Sequence, residues 1–373
     1  MFDKLRVVEL ASVLAGPSVG QFFAELGAEV IKIENPDTRG DVTRSWLFSG
    51  EKRSGSLSSY FSSVNWGKKS ALLNLKNPEP YRVLHNLIKD ADIVIASYKP
   101  GDAEKLQVDY DTLSQINPAI IYGHITGYGT NDHRVGYDAV IQAESGFMSI
   151  NGERGGDGLK MPVALIDVLA GHQLKQGILV SLINRMISGK GSYVPVSLID
   201  AAVSSLANQS ANWLVGGVVP SRTGNEHPNI APYGDVFKTI DNKEVILAVG
   251  NDRQFQSLNR VLGIKLDLSE DFNSNSNRVL NRSSLNEKLS ESIGVWNATD
   301  LVAKLGECGV PIGVVKKINE IFAQAPEHWL LEDGGMTGVR TFMAAPDVSS
   351  TKLPLSAPPE LGANTLDIME RYG

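Results

Sequence analysis

The first forty residues constrain the fold of this chain more than any other stretch. They begin with a β-prone run at Val7–Leu10 and continue, after Pro17, with the apolar spacing of a helix. Gly27 ends that helix, and Val30–Ile33 forms a second β-prone run. A strand, a turn, a helix and a second strand predict the entry to a nucleotide-type α/β domain.

Strands and helices keep alternating after this unit. Helices are predicted at Pro80–Lys89 and Tyr110–Ile116, and strands at Asp92–Ala96, Ala119–Tyr122 and Val194–Leu198. Such alternation favours a mostly parallel sheet covered by helices on both faces. The predicted fold class is therefore α/β, with a Rossmann-like large domain.

The second half of the chain changes character. Pro162–Arg185 is the longest apolar stretch and favours a buried helix, whereas the small residues of Ala202–Val219 indicate a linker. A strand at Val245–Val249, a helix at Arg253–Leu262 and a helix at Thr299–Leu305, with Thr299 as its N-cap, predict a smaller α+β domain. The predicted boundaries are 1–198 for the first part of the large domain, 199–224 for the linker, 225–325 for the small domain, and 326–373 for a return linker and the C-terminal part of the large domain.

Composition and charge exclude several classes of function. The 373 residues carry 35 lysines and arginines against 42 acidic residues, a net charge of −7 with no basic face for nucleic acid. No apolar run approaches the roughly 18 residues of a membrane span, and the N-terminus lacks the features of a signal peptide. The single cysteine, Cys308, and the lack of an H-E-x-x-H pair argue against a disulfide framework and a metal site. We therefore expect a soluble cytoplasmic enzyme without nucleic-acid or membrane partners.

The turn after the first predicted strand is not a dinucleotide-binding loop. Ser12–Pro17 (SVLAGP) stands where a Rossmann enzyme carries G-x-G-x-x-G, and Pro17 removes one backbone donor. Gly16 and Gly20 are too far apart for the fingerprint. Glu34, at the end of the second strand, is either a ribose-binding acid or a solvated carboxylate. NAD binding is therefore weakly supported.

Asp167 is the most unusual acidic residue. It lies among aliphatic neighbours in Val163–Ala170, and buried carboxylates are rare unless they are paired or functional. A role as N-cap or strand-end acid at the following helix accounts for Asp167 equally well. Near a helix N-terminus its carboxylate is expected to stay ionised, and an ionised carboxylate can act as a nucleophile.

Several lysines admit two interpretations. They are either scattered surface residues or a cluster at one sheet edge that would suit a ligand with several phosphates. The lysines in question are Lys68, Lys69, Lys76, Lys99 and Lys105.

Taken together, these segments resemble family III CoA-transferases, the family that includes formyl-CoA transferase and carnitine CoA-transferase. The resemblance covers nearly the whole chain, and the order and spacing of the motifs are specific although no single motif suffices. The motifs are SVLAGP at Ser12–Pro17, LGAEVIKIE at Leu26–Glu34, GDVTR at Gly40–Arg44, GKKSALLNLK at Gly67–Lys76, KPG at Lys99–Gly101, NPAIIYGHITGYG at Asn117–Gly129, GYDAVIQAESG at Gly136–Gly146, GKGSYVPVSLIDA at Gly189–Ala201 and GNEHPNIAPYGDVF at Gly224–Phe237.

The resemblance implies that Asp167 is the catalytic carboxylate, which forms acyl-anhydride and CoA-thioester intermediates while CoA moves from an acyl-CoA to a free carboxylic acid. CoA and acyl-CoA are then substrates, and no tightly bound cofactor is implied. It also implies a homodimer of two interlocked, ring-shaped subunits. The implied CoA contacts are Val13, Ala15, Leu73, Lys76, Ser97, Tyr98 and Lys105.

Two departures from formyl-CoA transferase bear on the acid that is used. Leu14 stands where that enzyme has glutamine, and Asn35 where it has arginine, which counts against an oxalate/formate specificity. Candidate donors for the oxyanions of the reaction are the glycine-rich loops at Gly127–Gly129 and Gly224–Asn225.

The acceptor acid is expected to meet cations and aromatic residues near the motif loops. Arg44, Trp46, Arg222 and His227 would form a pocket for a second carboxylate, which suits a dicarboxylate such as succinate. Tyr137 is expected to contact the acyl or acceptor group.

An acyl-CoA racemase of the same fold is the nearest alternative. Such racemases pair the aspartate with a histidine at the position of Tyr137, whereas His124 and His133 of this chain are out of register with it. A catalytically idle CoA-binding protein is the second alternative, and an NAD-dependent oxidoreductase is the weakest.

Overall fold

The computed structural model describes residues 2–52, 55–344 and 353–373, and it confirms the alternation of strands and helices in the first half. The strands are β1 (Arg6–Leu10), β2 (Glu29–Glu34), β3 (Lys68–Leu72), β4 (Ile93–Ala96), β5 (Ile121–Thr126), β6 (Ser192–Ser197), β7 (Tyr233–Lys238), β8 (Glu244–Ala248), β9 (Ile312–Val314), β10 (Leu330–Asp333) and β11 (Met336–Val339). The helices are α1 (Ala15–Glu25), α2 (Ser59–Ser62), α3 (Pro78–Lys89), α4 (Asp102–Lys105), α5 (Tyr110–Ile116), α6 (Asp138–Glu144), α7 (Phe147–Ile150), α8 (Leu165–Ser188), α9 (Leu198–Ser204), α10 (Asn208–Leu214), α11 (Asp252–Leu262), α12 (Asn275–Leu280), α13 (Arg282–Ile293), α14 (Ala298–Glu307), α15 (Ile318–Phe322) and α16 (Thr365–Tyr372).

The chain divides into two compact units. The first unit comprises Met1–Phe147, Lys160–Gly217 and Pro326–Gly373, and the second comprises Met148–Leu159 and Val218–Ala325. The domain limits expected from the sequence stay a prediction, and residues 345–352 of the expected return segment lie outside the described residues.

The first unit is built on a six-stranded sheet in the order β3-β2-β1-β4-β5-β6. Every pairing is parallel: β1, for example, aligns Val7 with Val30 of β2 on one side and with Ile93 of β4 on the other. This is the strand order of a Rossmann-type doubly wound sheet. β3 is not expected from the sequence, because its letters, KKSAL, contain no apolar run.

Helices cover both faces of this sheet. Alternate strand residues point to opposite faces, so that Val7 joins a core with Phe23 of α1 and Leu174 of α8. Val8 joins the opposite core with residues such as Leu84 of α3. Two apolar layers therefore enclose the sheet, as the apolar runs of its strands predict.

Two local features differ from what the sequence suggests. The expected linker overlaps two helices, α9 and α10, because its small residues are compatible with helix and Ser197 caps α9 by accepting a hydrogen bond from the Asp200 amide. The N-cap residue of α14 is Asn297 rather than Thr299.

Helix α8 is only half buried in the single chain. Its first half lies in the core, but Val180, Ile183, Met186 and Ile187 are exposed, Met186 at 87%. The long apolar stretch thus predicts the helix correctly but not its environment. Within the described residues, no helix is long and apolar enough to cross a membrane.

The second unit carries a smaller antiparallel sheet in the order β7-β8-β9. Phe237 and Leu247 of the sheet pack with Phe255 of α11, Leu289 of α13 and Leu305 of α14 in a separate core. The chain therefore contains a smaller α+β part as well as a parallel sheet, as the sequence predicts.

Candidate active site

The turn after β1 and the loop after β4 flank the point where the strand order reverses. The chain leaves β1 towards β2 on one side, and β4 lies on the other side, so the connections diverge and leave a crevice at the carboxyl ends of these strands. The Ser12 amide donates to Ser97 Oγ across this point at 3.1 Å. The fold therefore forms a binding crevice here, although the turn lacks a phosphate loop.

A cavity of about 260 Å³ lies at this crevice. It brings together six residues that the sequence proposes for the site, and their roles stay predictions: Val13, Ala15, Ser97, Tyr98, Tyr137 and Asp167. Its other lining residues are Ser12, Gly16, Lys99, Pro100, Ile125, Thr126, Gly127, Arg134, Val135, Gly136 and Leu198.

Two further cavities are linked to this one by shared lining residues. Tyr98 also lines a cavity of about 130 Å³ with Leu73 and Lys76. Lys76 in turn lines one of about 480 Å³ with Lys105. The residues expected to contact CoA thus line a series of three cavities. The first and second share Tyr98, and the second and third share Lys76. Leu73 is only 1% exposed and packs in the core, so its side chain offers little surface to a ligand.

The interpretation of the lysines as one surface cluster needs correction. Lys68 is completely buried and bonded to Glu9, and Lys69 bonds to Glu29. Lys76 and Lys99 line the cavities described above and are exposed, so they remain available to an anionic ligand.

Asp167 is the third residue of α8 and does not cap it. The N-cap position, Ala164, has no side-chain acceptor, and the Ile166 amide donates instead to Asp138 Oδ2 at 2.7 Å. Gln142 holds Asp138 through a hydrogen bond of 2.6 Å to Oδ1. Asp138, which is not singled out by the sequence, therefore satisfies the helix end and leaves the Asp167 carboxylate uncommitted.

The electrostatic environment of Asp167 is unusual for a carboxylate. Asp167 is 7% exposed, and none of the described residues donates a hydrogen bond to its carboxylate. Burial, and secondarily the negative charge of Asp138, raise the pKa of Asp167 to about 7. The expectation that the helix end keeps this group fully ionised is therefore wrong at neutral pH. The raised pKa also makes the ionised carboxylate more basic than a surface aspartate.

Trp46 is connected to this site through Tyr60, a residue that sequence reasoning missed. The two rings meet edge to face with centroids 5.1 Å apart. Burial, and then the charges of Asp167 and Asp138, raise the pKa of Tyr60 to about 12. The Tyr60 phenol therefore stays protonated and is close enough to Asp167 to sense its charge. No spacing or motif in the sequence marks Tyr60 in advance.

Arg44 is not available to an acceptor carboxylate, contrary to the pocket expected from the sequence. Its guanidinium donates to Glu34 from Nε at 2.8 Å and from Nη2 at 2.7 Å, and to the Pro359 carbonyl at 3.1 Å. Glu34 is 3% exposed and accepts from Ser70 as well. Glu34 is thus neither a ribose-binding acid nor a solvated one, but half of a buried ion pair.

Arg222 and His227 belong to the second unit. The Arg222 guanidinium donates to the Ser149 carbonyl at 3.4 Å, and the His227 ring packs against Tyr233. Their roles at an acceptor site stay predictions. The Gly224 amide is already bonded to the Gly152 carbonyl at 3.0 Å, which removes that donor from the oxyanion candidates.

Among the other oxyanion candidates, the Gly129 amide is also engaged, since it donates to Thr126 Oγ1 at 3.0 Å. Gly127 lines the cavity that contains Asp167. Gly127 therefore remains a candidate donor that also lines this cavity.

The histidines near the site have other partners. His124 bonds through Nδ1 to the Tyr193 hydroxyl at 2.7 Å and through Nε2 to the Tyr98 carbonyl at 2.9 Å. Burial lowers the pKa of His124, so it serves as a neutral support of the loop after β4. The residues lining the cavity include Tyr137 but no histidine, which does not fit a two-base racemase. In the described parts of the chain, no group of three His, Cys, Asp or Glu side chains is arranged to hold a metal ion.

Comparison with known proteins identifies the family of this chain. The profile of CoA-transferase family III matches residues 2–365. The succinate–glutarate CoA-transferase of Agrobacterium fabrum is 38% identical, with 98% of this chain and 94% of the relative covered. The succinyl-CoA:glutarate CoA-transferase of Mus musculus is 33% identical, with 99% of this chain and 85% of the relative covered.

A solved structure extends the comparison to three dimensions. The crystal structure of a CAIB/BAIF family protein from Brucella suis superposes with a TM-score of 0.86 at 37% identity, covering 100% of this chain and 99% of the other. Since sequence and fold agree along nearly the whole length, the chain belongs to CoA-transferase family III and is a transferase enzyme.

Proposed function

We propose that this enzyme moves CoA from a dicarboxylic acyl-CoA, such as succinyl-CoA, to a free dicarboxylate, with Asp167 as the nucleophile. The observation that carries the proposal is the state of Asp167. Its buried carboxylate accepts no hydrogen bond from the described residues, and it lines one cavity with the turn after β1 and the loop after β4. An oriented carboxylate can attack a thioester without a separate base, because CoA thiolate is a good leaving group.

Four steps balance the reaction. An Asp167 oxygen attacks the thioester carbonyl, the C–S bond breaks, and a mixed anhydride and CoA thiolate form. The thiolate attacks the Asp167 carbonyl of the anhydride, which gives an aspartyl-CoA thioester and releases the donor acid as its carboxylate. The acceptor carboxylate attacks this thioester, its C–S bond breaks to release CoA thiolate, and a second anhydride forms. The thiolate then attacks the acceptor carbonyl of this anhydride and breaks its bond to the Asp167 oxygen. The products are a new acyl-CoA and the regenerated Asp167 carboxylate.

The three consecutive cavities support a direction for CoA. The thioester end would lie beside Asp167, the pantetheine would pass Tyr98, and the phosphates would lie towards Lys76 and Lys105. Lys105 is highly exposed, and its ammonium group bonds to the exposed Asp102, so little free energy is required to redirect it to a phosphate. Cations at one end and an uncommitted carboxylate at the other match the charge pattern of an acyl-CoA.

The choice of a dicarboxylate rests on the relatives and on two residues of this chain. Two relatives at 38% and 33% identity are named for succinate and glutarate. Leu14 and Asn35 replace residues of formyl-CoA transferase, which counts against oxalate and formate. Among the cations first considered for the distal carboxylate, Arg44 is excluded by its bonds to Glu34, whereas Arg222 and His227 remain candidates.

The covalent mechanism is tested by trapping. The protein is incubated with succinyl-CoA and hydroxylamine, and the peptide containing Asp167 is examined by mass spectrometry. A hydroxamate on Asp167 and a parallel loss of activity are expected, while Asp138 stays unmodified. Unmodified, fully active protein would exclude the aspartyl intermediates. A screen of mono- and dicarboxylic acceptors in the same assay then identifies the acid, and Arg222→Ala should raise KM for dicarboxylates only.

A homodimer is part of the same proposal. Large apolar side chains remain exposed in the single chain along the end of α8 and at α10, including Met186, Ile187, Leu214 and, at 89%, Val215. Large exposed apolar residues that are neighbours in the chain, as Met186 and Ile187 are and as Leu214 and Val215 are, are typical of protein–protein interfaces. Sedimentation should give a dimer for the wild type, and Met186→Glu with Val215→Glu should weaken it. A monomeric active wild type would contradict the proposal.

A further inference from the structure

A cluster of four buried charged residues lies beneath the turn after β1. This cluster, named here the buried charge cluster, consists of Glu9, Lys32, Asp41 and Lys68. Lys32 Nζ lies 2.9 Å from Glu9 Oε1 and 2.9 Å from Asp41 Oδ2, and Lys68 Nζ lies 2.7 Å from Glu9 Oε2. Two cations and two anions balance, yet burial of four charges is costly compared with an apolar core. A packing role alone does not explain them.

The buried charge cluster contacts the backbone of the turn at three points. Lys32 donates to the Ala11 carbonyl at 2.7 Å, and Lys68 donates to the Pro17 carbonyl at 2.8 Å. Between these points, Asp41 Oδ1 accepts from the Val13 amide at 3.3 Å. The residue just before the SVLAGP turn, the second residue of the turn and its last residue are therefore each bonded to one member of the cluster.

The middle contact is at a strained residue. Val13 has a φ of 72°, in the left-handed region that β-branched residues rarely adopt. Such a conformation persists only where surrounding contacts hold it. Asp41 is itself fixed, because its Oδ1 also accepts from the amide and the hydroxyl of Thr43 at 3.0 and 2.8 Å. Asp41 is thus the side chain best placed to keep Val13 in this conformation.

The turn is also tied to the helix that carries Asp167. Gly171 lies one helical turn after Asp167, and a Cβ at this position would come within 3.1 Å of the Ala15 carbonyl. The backbones of α1 and α8 therefore approach closely at Ala15 and Gly171, and Val13 and Ala15 line the same cavity as Asp167. A shift of the turn changes the distance between this wall and the carboxylate.

We propose that Asp41 and Lys32 are positioning residues, which hold the turn after β1 and thereby fix how the acyl-CoA thioester lies against Asp167. This inference rests on the proposed function for its substrate, but not for the contacts that it invokes. Neither residue touches the cavity, so both act through Ala11 and Val13. The charge pair orients Asp41, and Asp41 orients the amide of Val13.

The test compares Asp41→Ala with Asp41→Asn, since the asparagine keeps an amide oxygen for the Val13 N–H. Asp90→Ala, at an exposed acid of the same unit, is the matched control. For Asp41→Ala we expect KM for succinyl-CoA to rise about tenfold and kcat to fall, while KM for the acceptor acid changes less than about twofold. Asp41→Asn should recover part of the loss. Equal rises in both KM values would indicate general loosening and overturn the inference.

A second measurement does not depend on the reaction. In Asp41→Ala without ligand, hydrogen exchange should become faster in peptides covering 11–18 and stay unchanged in peptides covering 165–175. Calorimetry should show weaker binding of CoA to this variant. If Asp41→Ala does not fold, Thr43→Val, which removes one support of Asp41, should show the same pattern with a smaller amplitude. Unchanged exchange in 11–18 together with unchanged CoA affinity would refute the positioning role. A wild type that transfers CoA to no acid would refute the proposed function, while exchange and CoA affinity would still decide this inference.

Discussion

Two buried carboxylates of the first unit, Glu34 and Asp167, have nearly the same exposure and opposite chemistry. Glu34 accepts two hydrogen bonds from Arg44, one from Ser70 and one from the Asp41 amide. Burial alone would raise the pKa of Glu34, but the bonds from Arg44 and the charge of Lys32 lower it overall. Burial and a like charge raise the pKa of Asp167, and no described residue compensates.

The comparison teaches that burial of a carboxylate does not by itself mark a functional site. A buried carboxylate with all its acceptor positions occupied is structural, because its charge is already neutralised and its lone pairs are engaged. A buried carboxylate without donors holds its charge at a cost of up to about 4 kcal/mol, at about 1.4 kcal/mol per pKa unit. A fold retains such a group at that cost where the group reacts.

The largest expected effect is on activity. Asp167→Asn removes the nucleophilic oxygen and should lower kcat by at least about a thousandfold, since an amide does not form the anhydride. The steady-state rate of CoA transfer from succinyl-CoA measures it. Glu34→Gln is the matched control, and its kcat per folded molecule should stay within about tenfold of the wild type. Similar losses in the two variants would remove the functional distinction between the two carboxylates.

The second effect is a loss of folding stability when Glu34 loses its ion-pair partner. Arg44→Met leaves Glu34 buried without its cation and should lower the free energy of unfolding by about 3–5 kcal/mol. Urea unfolding measures this value. The double variant Glu34→Gln/Arg44→Met removes both charges and should recover a large part of the loss. A decrease below about 1 kcal/mol for Arg44→Met would mean that water replaces the guanidinium.

The third effect is that Asp167→Asn should be more stable than the wild type, by an amount that depends on pH. Because its folded pKa of about 7 lies above the ordinary 3.8, the unfolded state releases this proton first, and stability falls as pH rises between these values. Asp167→Asn carries no titrating group at this position and does not lose stability in this way. The difference in the free energy of unfolding between this variant and the wild type should be greater at pH 8 than at pH 5 by about 3 kcal/mol. A gain that does not depend on pH would show that the carboxylate does not titrate as proposed.

The fold was largely predictable because its signals are local. Apolar periodicity locates β1, α1, β2 and most elements of the sheet, and SVLAGP marks the turn between β1 and α1. β3 is not predicted, because Lys68 can be buried only through its hydrogen bond to Glu9, which lies 59 positions away in the sequence. No local pattern in the sequence reports that pairing.

The site was predictable only in part, for the same physical reason. The aliphatic neighbours of Asp167 indicate its burial, but the missing donors and the nearby charge of Asp138 are tertiary properties. Arg44 is expected to be a free cation because it lies in a motif loop, and its bonds to Glu34 and Pro359 become visible only in the fold. Residue type thus identifies candidates, and the three-dimensional partners decide which of them can react.

The smallest expected effect separates the two causes that raise the pKa of Asp167. Since only the ionised carboxylate attacks, kcat/KM should fall tenfold per unit as pH decreases below about 7. Asp138→Asn removes the like charge but not the burial, so the midpoint should move to lower pH and activity at pH 6 should rise by less than about tenfold. Gln142→Ala, which loosens the same contact without removing a charge, should leave the midpoint in place. A midpoint that moves equally in both variants would mean that loss of packing, and not the charge of Asp138, sets the second contribution. A midpoint unchanged in both would leave burial as the sole reason that Asp167 differs from Glu34.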